Sequence, residues 1–112
     1  MCGLNGYYIK NLNKLKEINL KSANQKLYHR GPDNMGIFYS KDKKIGLGHT
    51  RLSILDTTPK GNQPMKSICE RYVIVFNGEI YNFKELSNFL LKKSNNFFPK
   101  SSSDTEVLIN FY

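Results

Sequence analysis

The 112-residue sequence predicts an α+β domain with a mostly antiparallel sheet. Three observations carry this. The apolar patterning runs strand, helix, several strands, helix, helix. Apolar residues recur at three- and four-residue spacing over 12–27, over 83–91 and again from 103 onward. Short turn signals separate neighbouring strand-like runs, as antiparallel hairpins require.

Each element has a local reason. Residues 3–9 carry Leu4, Tyr7, Tyr8 and Ile9 and predict a strand. Leu12, Leu15, Ile18, Ala23 and Leu27 predict a helix, broken around Asn19 and ended by His29, Arg30, Gly31 and Pro32. Residues 36–39 and 45–52 form strand partners around a Lys-Asp-Lys-Lys turn, and 56–64 is turn chemistry with two prolines. Residues 72–76 are continuously apolar, which predicts a strand buried on both faces. Asn77-Gly78 then predicts a hairpin turn, with 79–81 returning as the partner strand. Phe83, Leu86, Phe89 and Leu90 share one helix face, and 95–100 is a loop. Ser103-Asp104-Thr105-Glu106 fits a capping box, with Ser103 as N-cap and Glu106 at the third position. That helix stops at Tyr112 in mid-stripe, so the chain is expected to be a fragment of a longer one.

Composition narrows the class. Apolar residues make up 39% and charged residues 23%, a globular mixture. No run of 18 apolar residues exists, so no membrane span is expected, and the N-terminus lacks a secretory signal. The net charge of +8 comes from scattered residues, 14 Lys against only three Arg. Nucleic-acid recognition favours arginine, so no nucleic-acid partner is expected. Cys2 and Cys69 form no disulfide framework, and a reduced, cytoplasmic chain is expected. Cys69 is read as an ordinary buried or half-buried thiol. No metal site is expected.

Cys2 stands apart because of its position. Removal of Met1 would put a free α-amine and a thiol on one residue. Their ordinary pKa values, roughly 7.7–8.0 and about 8.5, let the amine take the thiol proton near neutral pH. Gly3 and Gly6 leave room for a substrate beside the backbone.

Five strings follow in order: His29-Arg30-Gly31-Pro32-Asp33, His49-Thr50-Arg51-Leu52-Ser53-Ile54-Leu55-Asp56, Gly61-Asn62-Gln63-Pro64, Asn77-Gly78-Glu79-Ile80-Tyr81-Asn82 and Ser103-Asp104-Thr105-Glu106. With the Met-Cys-Gly start, the set resembles the class II, N-terminal-nucleophile glutaminase domain of glutamine-hydrolysing asparagine synthetases. The resemblance covers residues 1–112. It implies an αββα four-layer sandwich, incomplete in this chain, whose missing strands would leave unpaired sheet edges. It implies L-glutamine as substrate and Cys2 as nucleophile, forming a γ-glutamyl thioester and releasing ammonia. Asn77 and Gly78 would supply the oxyanion hole. Arg51 would hold the glutamine α-carboxylate and Asp104 its α-ammonium. Leu52, Ser53, Ile54, Leu55 and Glu79 would line the same site. His49 is read as support for Arg51, not as a base, His29 as a cation at a helix end, and Asp33 as a turn residue.

The family's C-terminal synthetase domain uses ATP and Mg2+ to activate aspartate. Its phosphate-loop signature does not occur here, so the domain is expected to be absent and no cofactor is expected in this chain. The synthetase domain is thus the expected protein partner, and the resemblance admits a homodimer of the full-length enzyme. Two other readings stay open. One is an amidotransferase paralogue that aminates another carboxylate, such as a sugar acid in surface-polysaccharide synthesis. The other is a truncated, catalytically silent binding module.

Overall fold

The computed structural model describes residues 1–54 and 56–112. Strand β1 (Gly3–Tyr8) forms where expected. The predicted helix is indeed broken at Asn19. A 3-10 helix spans Leu12–Glu17, and helix α1 spans Leu20–Lys26. Asn19 causes the division, while Asn11 caps the first piece. Asn11 accepts a hydrogen bond from the Asn13 N–H at 3.0 Å, and Asn19 accepts one from the Ser22 N–H at 2.9 Å. The Ser22 N–H taken by Asn19 is one that a continuous helix would have given to the Ile18 carbonyl, whereas the Asn13 N–H taken by Asn11 lies in a first turn and has no internal partner. A second 3-10 turn, Tyr28–Arg30, ends before Gly31.

Strands β2 (Asn34–Tyr39) and β3 (Ile45–Arg51) form the expected hairpin. Its turn is held by Asp42, which accepts from Ser40 Oγ at 2.6 Å and the Lys44 N–H at 3.1 Å. β3 is the central strand of a three-stranded sheet in the order β1-β3-β2, antiparallel on both sides. Gly3 and Met35 both pair with Thr50, while Leu4 and Gly36 both pair with His49. Alternation along β3 therefore sends Thr50 to one face and His49 and Arg51 to the other.

Helix α1 covers the Thr50 face. Leu20 and Asn24 are buried there, and Thr50 Oγ1 donates to the Leu27 carbonyl at 3.2 Å. Asn24 donates to the Gly36 carbonyl at 3.0 Å and accepts from Asn5 at 2.6 Å. The opposite face meets the 61–64 segment. Gly36 lies so close to the Gln63 carbonyl and Pro64 that a Cβ there would overlap both.

The next region departs from expectation. Residues 72–76 do not form one strand buried on both faces. Only β5 (Val73–Ile74) is extended and paired, and its two side chains are half-buried. Its partner is the preceding β4 (Met65–Lys66), antiparallel, and no strand forms over 79–81. Asn77-Gly78 is therefore not a two-residue hairpin. The reason is that side chains take the backbone donors a hairpin would need. Gln63 Oε1 accepts the Phe76 N–H at 2.6 Å, and Asp104 accepts the Ile80 N–H at 2.9 Å.

Helices α2 (Phe83–Lys93) and α3 (Asp104–Phe111) close the chain. Leu90, Phe97 and Val107 form an apolar core between them, with Phe83 and Leu86 packed against it. Ser103 caps α3 through the Thr105 N–H at 3.2 Å. Glu106 does not complete the capping box. It turns to the preceding loop and accepts from the Lys100 N–H at 2.8 Å and the Ser101 N–H at 2.7 Å. Ser101 Oγ takes the Ser103 N–H instead, at 3.2 Å. Cys69 is exposed, not buried.

The observed architecture is a mixed α and β fold with antiparallel sheets. Among the described residues no helix is long and apolar enough to cross a membrane. Substituting Gly36→Ala is expected to destabilise the protein by about 1–3 kcal/mol, the usual cost of overpacking. Thermal denaturation checks this; an unchanged midpoint would mean that the Gln63–Pro64 segment yields without cost.

Candidate active site

Cys2 sits one residue before β1, so the sheet fixes its position. The next residue, Gly3, donates its N–H to Thr50 Oγ1 at 3.1 Å. The Cys2 carbonyl accepts from Arg30 Nε at 3.2 Å. Its sulfur accepts the Leu52 N–H at 3.3 Å and lies 3.7 Å from the Leu52 carbonyl oxygen. The backbone is thus anchored by the 3-10 turn after α1 and the thiol by the residue that follows β3.

Arg51 ends β3 on the face away from α1. It is only 7% exposed, and the groups that hold its guanidinium are neutral oxygens. Nη1 donates to the Thr58 carbonyl at 2.6 Å and to Asn62 Oδ1 at 2.8 Å, and Nη2 donates to the Asp56 carbonyl. The 56–62 segment wraps the guanidinium so tightly that a Cβ on Gly61 would strike it. Arg51 is therefore a desolvated cation in a neutral cage, an arrangement that favours an incoming anion.

Asp104 is buried at the first turn of α3, where the helix dipole favours a carboxylate. Besides the Ile80 N–H, it accepts from Thr105 Oγ1 at 3.4 Å. Gln63 ties three elements together. Its amide nitrogen donates to Thr105 Oγ1 at 3.3 Å while its oxygen holds the Phe76 N–H. The 76–80 segment is consequently fixed at both ends, from Gln63 and from Asp104.

These pieces enclose a cleft of about 320 Å³. Cys2, Arg51, Leu52, Ile54, Asn77, Gly78, Glu79 and Asp104 all line it. Ser53 does not. It faces a separate polar recess beside Asp33 and Asn62, and its N–H donates to the Asp33 carboxylate at 2.7 Å. The expected contribution of Leu55 lies outside the described residues. Sequence reasoning did not assign Asp56, Gln63, Phe76 or Thr105 to the cleft, and all four line it. Asp56, Gln63 and Thr105 stand inside the motif strings, so the signal was present without a role attached. Among the described residues no group of three or more His, Cys, Asp or Glu side chains could hold a metal ion.

Two ionisable groups near the cleft are shifted. Hydrogen bonds from Thr58 and Ser102 hold the Asp56 carboxyl down at about 2. His49 is fully buried, and neither ring nitrogen has a hydrogen-bond partner among the described residues. No bond joins it to Arg51, so any support it lends is through packing. Burial lowers its pKa; the nearby Phe76 backbone opposes this, and the Arg51 charge adds to it. The sign for stability follows from proton uptake. The unfolded imidazole gains its proton near 6.5, while the folded one resists. Stability is therefore complete above that value and falls as pH drops below it, by up to about 1.4 kcal/mol per pH unit. The variant His49→Phe should show a flatter dependence of unfolding free energy between pH 7 and 5. An equally steep dependence in the variant would assign the proton uptake elsewhere.

The sequence pattern of the glutamine amidotransferase domain matches residues 1–112. A relative from Bacillus subtilis, named asparagine synthetase (glutamine-hydrolyzing) 1, is 43% identical, with 100% of this chain and 17% of that protein aligned. One from Oryza sativa subsp. japonica, named asparagine synthetase (glutamine-hydrolyzing) 2, is 36% identical over 100% of this chain and 18% of its own. A third, amidase chry2 of Gibberella zeae, is 36% identical over 83% of this chain and 13% of its own. The chain thus spans about a quarter or less of the length of the curated relatives it matches. The domain match runs from the first residue to the last, and this chain belongs to the glutamine amidotransferase domain family.

Proposed function

We propose that this chain is the glutaminase half of a glutamine-hydrolysing asparagine synthetase, releasing ammonia from L-glutamine. The observation that supports this best is the shared cleft. The nucleophile candidate Cys2, the buried cation Arg51 and the buried carboxylate Asp104 line a single cavity with the Asn77-Gly78 segment. Glutamine is a zwitterion with a reactive amide at its far end, and each part has a complementary group here.

Arg51 takes the α-carboxylate, completing its neutral cage with an anion. Asp104 takes the α-ammonium. Leu52, Ile54 and Glu79 line the space between. Met1 lines the cleft and acylates the Cys2 nitrogen. Its removal frees both the amine and the space. The amine then accepts the Cys2 thiol proton, and the sulfur attacks the side-chain amide carbon. The developing oxyanion is met by the Asn77 side-chain NH2 and the Gly78 N–H, held on a segment pinned at Phe76 and Ile80. The tetrahedral adduct collapses to a γ-glutamyl thioester as the amine returns its proton to the leaving nitrogen, and ammonia departs. Water deprotonated by the same amine then attacks the thioester, giving glutamate and restoring the thiol.

The antiparallel sheets are, in this reading, parts of a four-layer αββα sandwich in a longer, cytoplasmic protein. Its synthetase domain, with ATP and Mg2+, would use the ammonia to amidate aspartate. The short share of each relative's length that this chain spans supports that arrangement. One relative is named as an amidase and not as an asparagine synthetase, which is compatible with a second reading, in which the same glutaminase feeds another acceptor. The identity of a synthetase domain encoded beside residues 1–112 separates the two.

In the intact protein, Cys2→Ala should abolish glutamine hydrolysis and leave ammonia-dependent synthesis; retained glutaminase activity would remove Cys2 as nucleophile. Asn77→Ala should lower kcat by roughly 10²–10³, the usual effect of one lost oxyanion donor. Steady-state kinetics checks this, and an unchanged kcat would leave the segment as a loop only.

A further inference from the structure

Asp56 lines the cleft but has no place in the steps above. It is buried, and both its carboxylate oxygens are used. Oδ1 accepts from the Thr58 N–H at 2.8 Å and Thr58 Oγ1 at 2.6 Å. Oδ2 accepts from the Ser102 N–H at 2.9 Å and Ser102 Oγ at 3.3 Å. Its main-chain carbonyl accepts from the Arg51 guanidinium. One residue therefore touches three things: the cation, the loop that cages the cation, and the segment immediately before α3. Ser102 stands two residues before Asp104, and Ser103 between them is the cap of α3.

We infer that Asp56 is the specificity-determining spacer of the site, setting the distance between Arg51 and Asp104 and so the length of zwitterion that fits. The inference rests on the glutaminase reading. Its physical basis is simple. Arg51 ends a strand of the three-stranded sheet, whereas Asp104 begins a helix packed on α2. The Asp56 carboxylate links their two supporting loops, through charge-assisted hydrogen bonds to backbone N–H groups, which are strong and directional. A ligand that must reach both charges at once feels any change in their separation. A ligand that reaches only Arg51 does not. The depressed Asp56 pKa agrees with a carboxylate that stays ionised while it holds these donors.

The test measures kcat and KM in the intact protein for two substrates. One is L-glutamine; the other is glutaramate, which is glutamine without its α-amino group. Asp56→Asn turns an NH2 toward one of the two backbone donors and opens the link. The expected result is a KM for glutamine raised about tenfold or more with kcat within about threefold, while KM for glutaramate stays within about threefold. The preference for glutamine over glutaramate thus falls about tenfold. A merely structural residue would lower the active fraction, cutting kcat for both substrates equally and leaving both KM values and the preference intact; that result overturns the proposal. If Asp56→Asn does not fold, Ser102→Ala removes only the hydroxyl arm and should lower the preference about two- to threefold; an unchanged preference there overturns the proposal. Unsubstituted protein that neither binds nor hydrolyses glutamine overturns the glutaminase reading and this proposal with it. Hydrolysis with an unshifted preference overturns this proposal alone.

Discussion

The buried guanidinium of Arg51 is the constraint around which the rest of the site is arranged. A cation at 7% exposure has lost most of its hydration and must be satisfied by protein groups. Oxygens of Thr58, Asn62 and Asp56 do this, and they lie in one segment that has to wrap back over the strand end. That wrapping requires the bare backbone at Gly61, and it brings Asp56 within reach of Ser102. It also leads the chain into Gln63, which collects Phe76 and Thr105. The cleft is in this sense the inside surface of a loop folded around one charge. Because the cage is neutral, the charge itself remains available to an anion.

Polar side chains, more than apolar packing, hold the cleft side of the molecule together. Among the described residues, buried apolar side chains are few: Leu20, Leu90, Phe97, Val107 and Ile109. The buried polar ones cluster at β3, at 56–63 and at 103–106. Asn24, Asp56, Gln63, Asp104 and Glu106 each bond to backbone groups of another segment. Such a network is costly wherever a partner is lost, since each buried group then keeps its desolvation penalty. The same property makes it specific. Each of these side chains accepts or donates in one geometry, so the 76–80 segment and the start of α3 have defined positions relative to Cys2.

Most of the architecture was legible because it rests on local physics. The hairpin of β2 and β3, the two terminal helices and the interruption at Asn19 all follow from periodicity, turn residues and caps. The failures share one cause. Residues 72–76 have the apolar run of a buried strand, and Asn77-Gly78 has the composition of a hairpin turn. Yet Gln63 and Asp104, distant in sequence, take the N–H groups of Phe76 and Ile80. Glu106 likewise serves Lys100 and Ser101 instead of its own helix cap. In each case a partner outside the local pattern, a long-range acceptor for Phe76 and Ile80 and loop donors for Glu106, out-competed it.

By itself, the sequence determined the α+β class, the order of most elements, and the motif set around Cys2 that identifies a glutamine amidotransferase domain. Those features are encoded in residue types at short spacing. Only the tertiary structure decided that Ser53 faces away from the cleft, that Cys69 is exposed, and that Asp56 and Gln63 bridge its walls. It also decided that Arg51 is caged by neutral oxygens and not paired on the surface. Hydrogen-bond partners of buried polar groups are chosen by what the folded chain brings within 3 Å, and no spacing along the sequence records that choice.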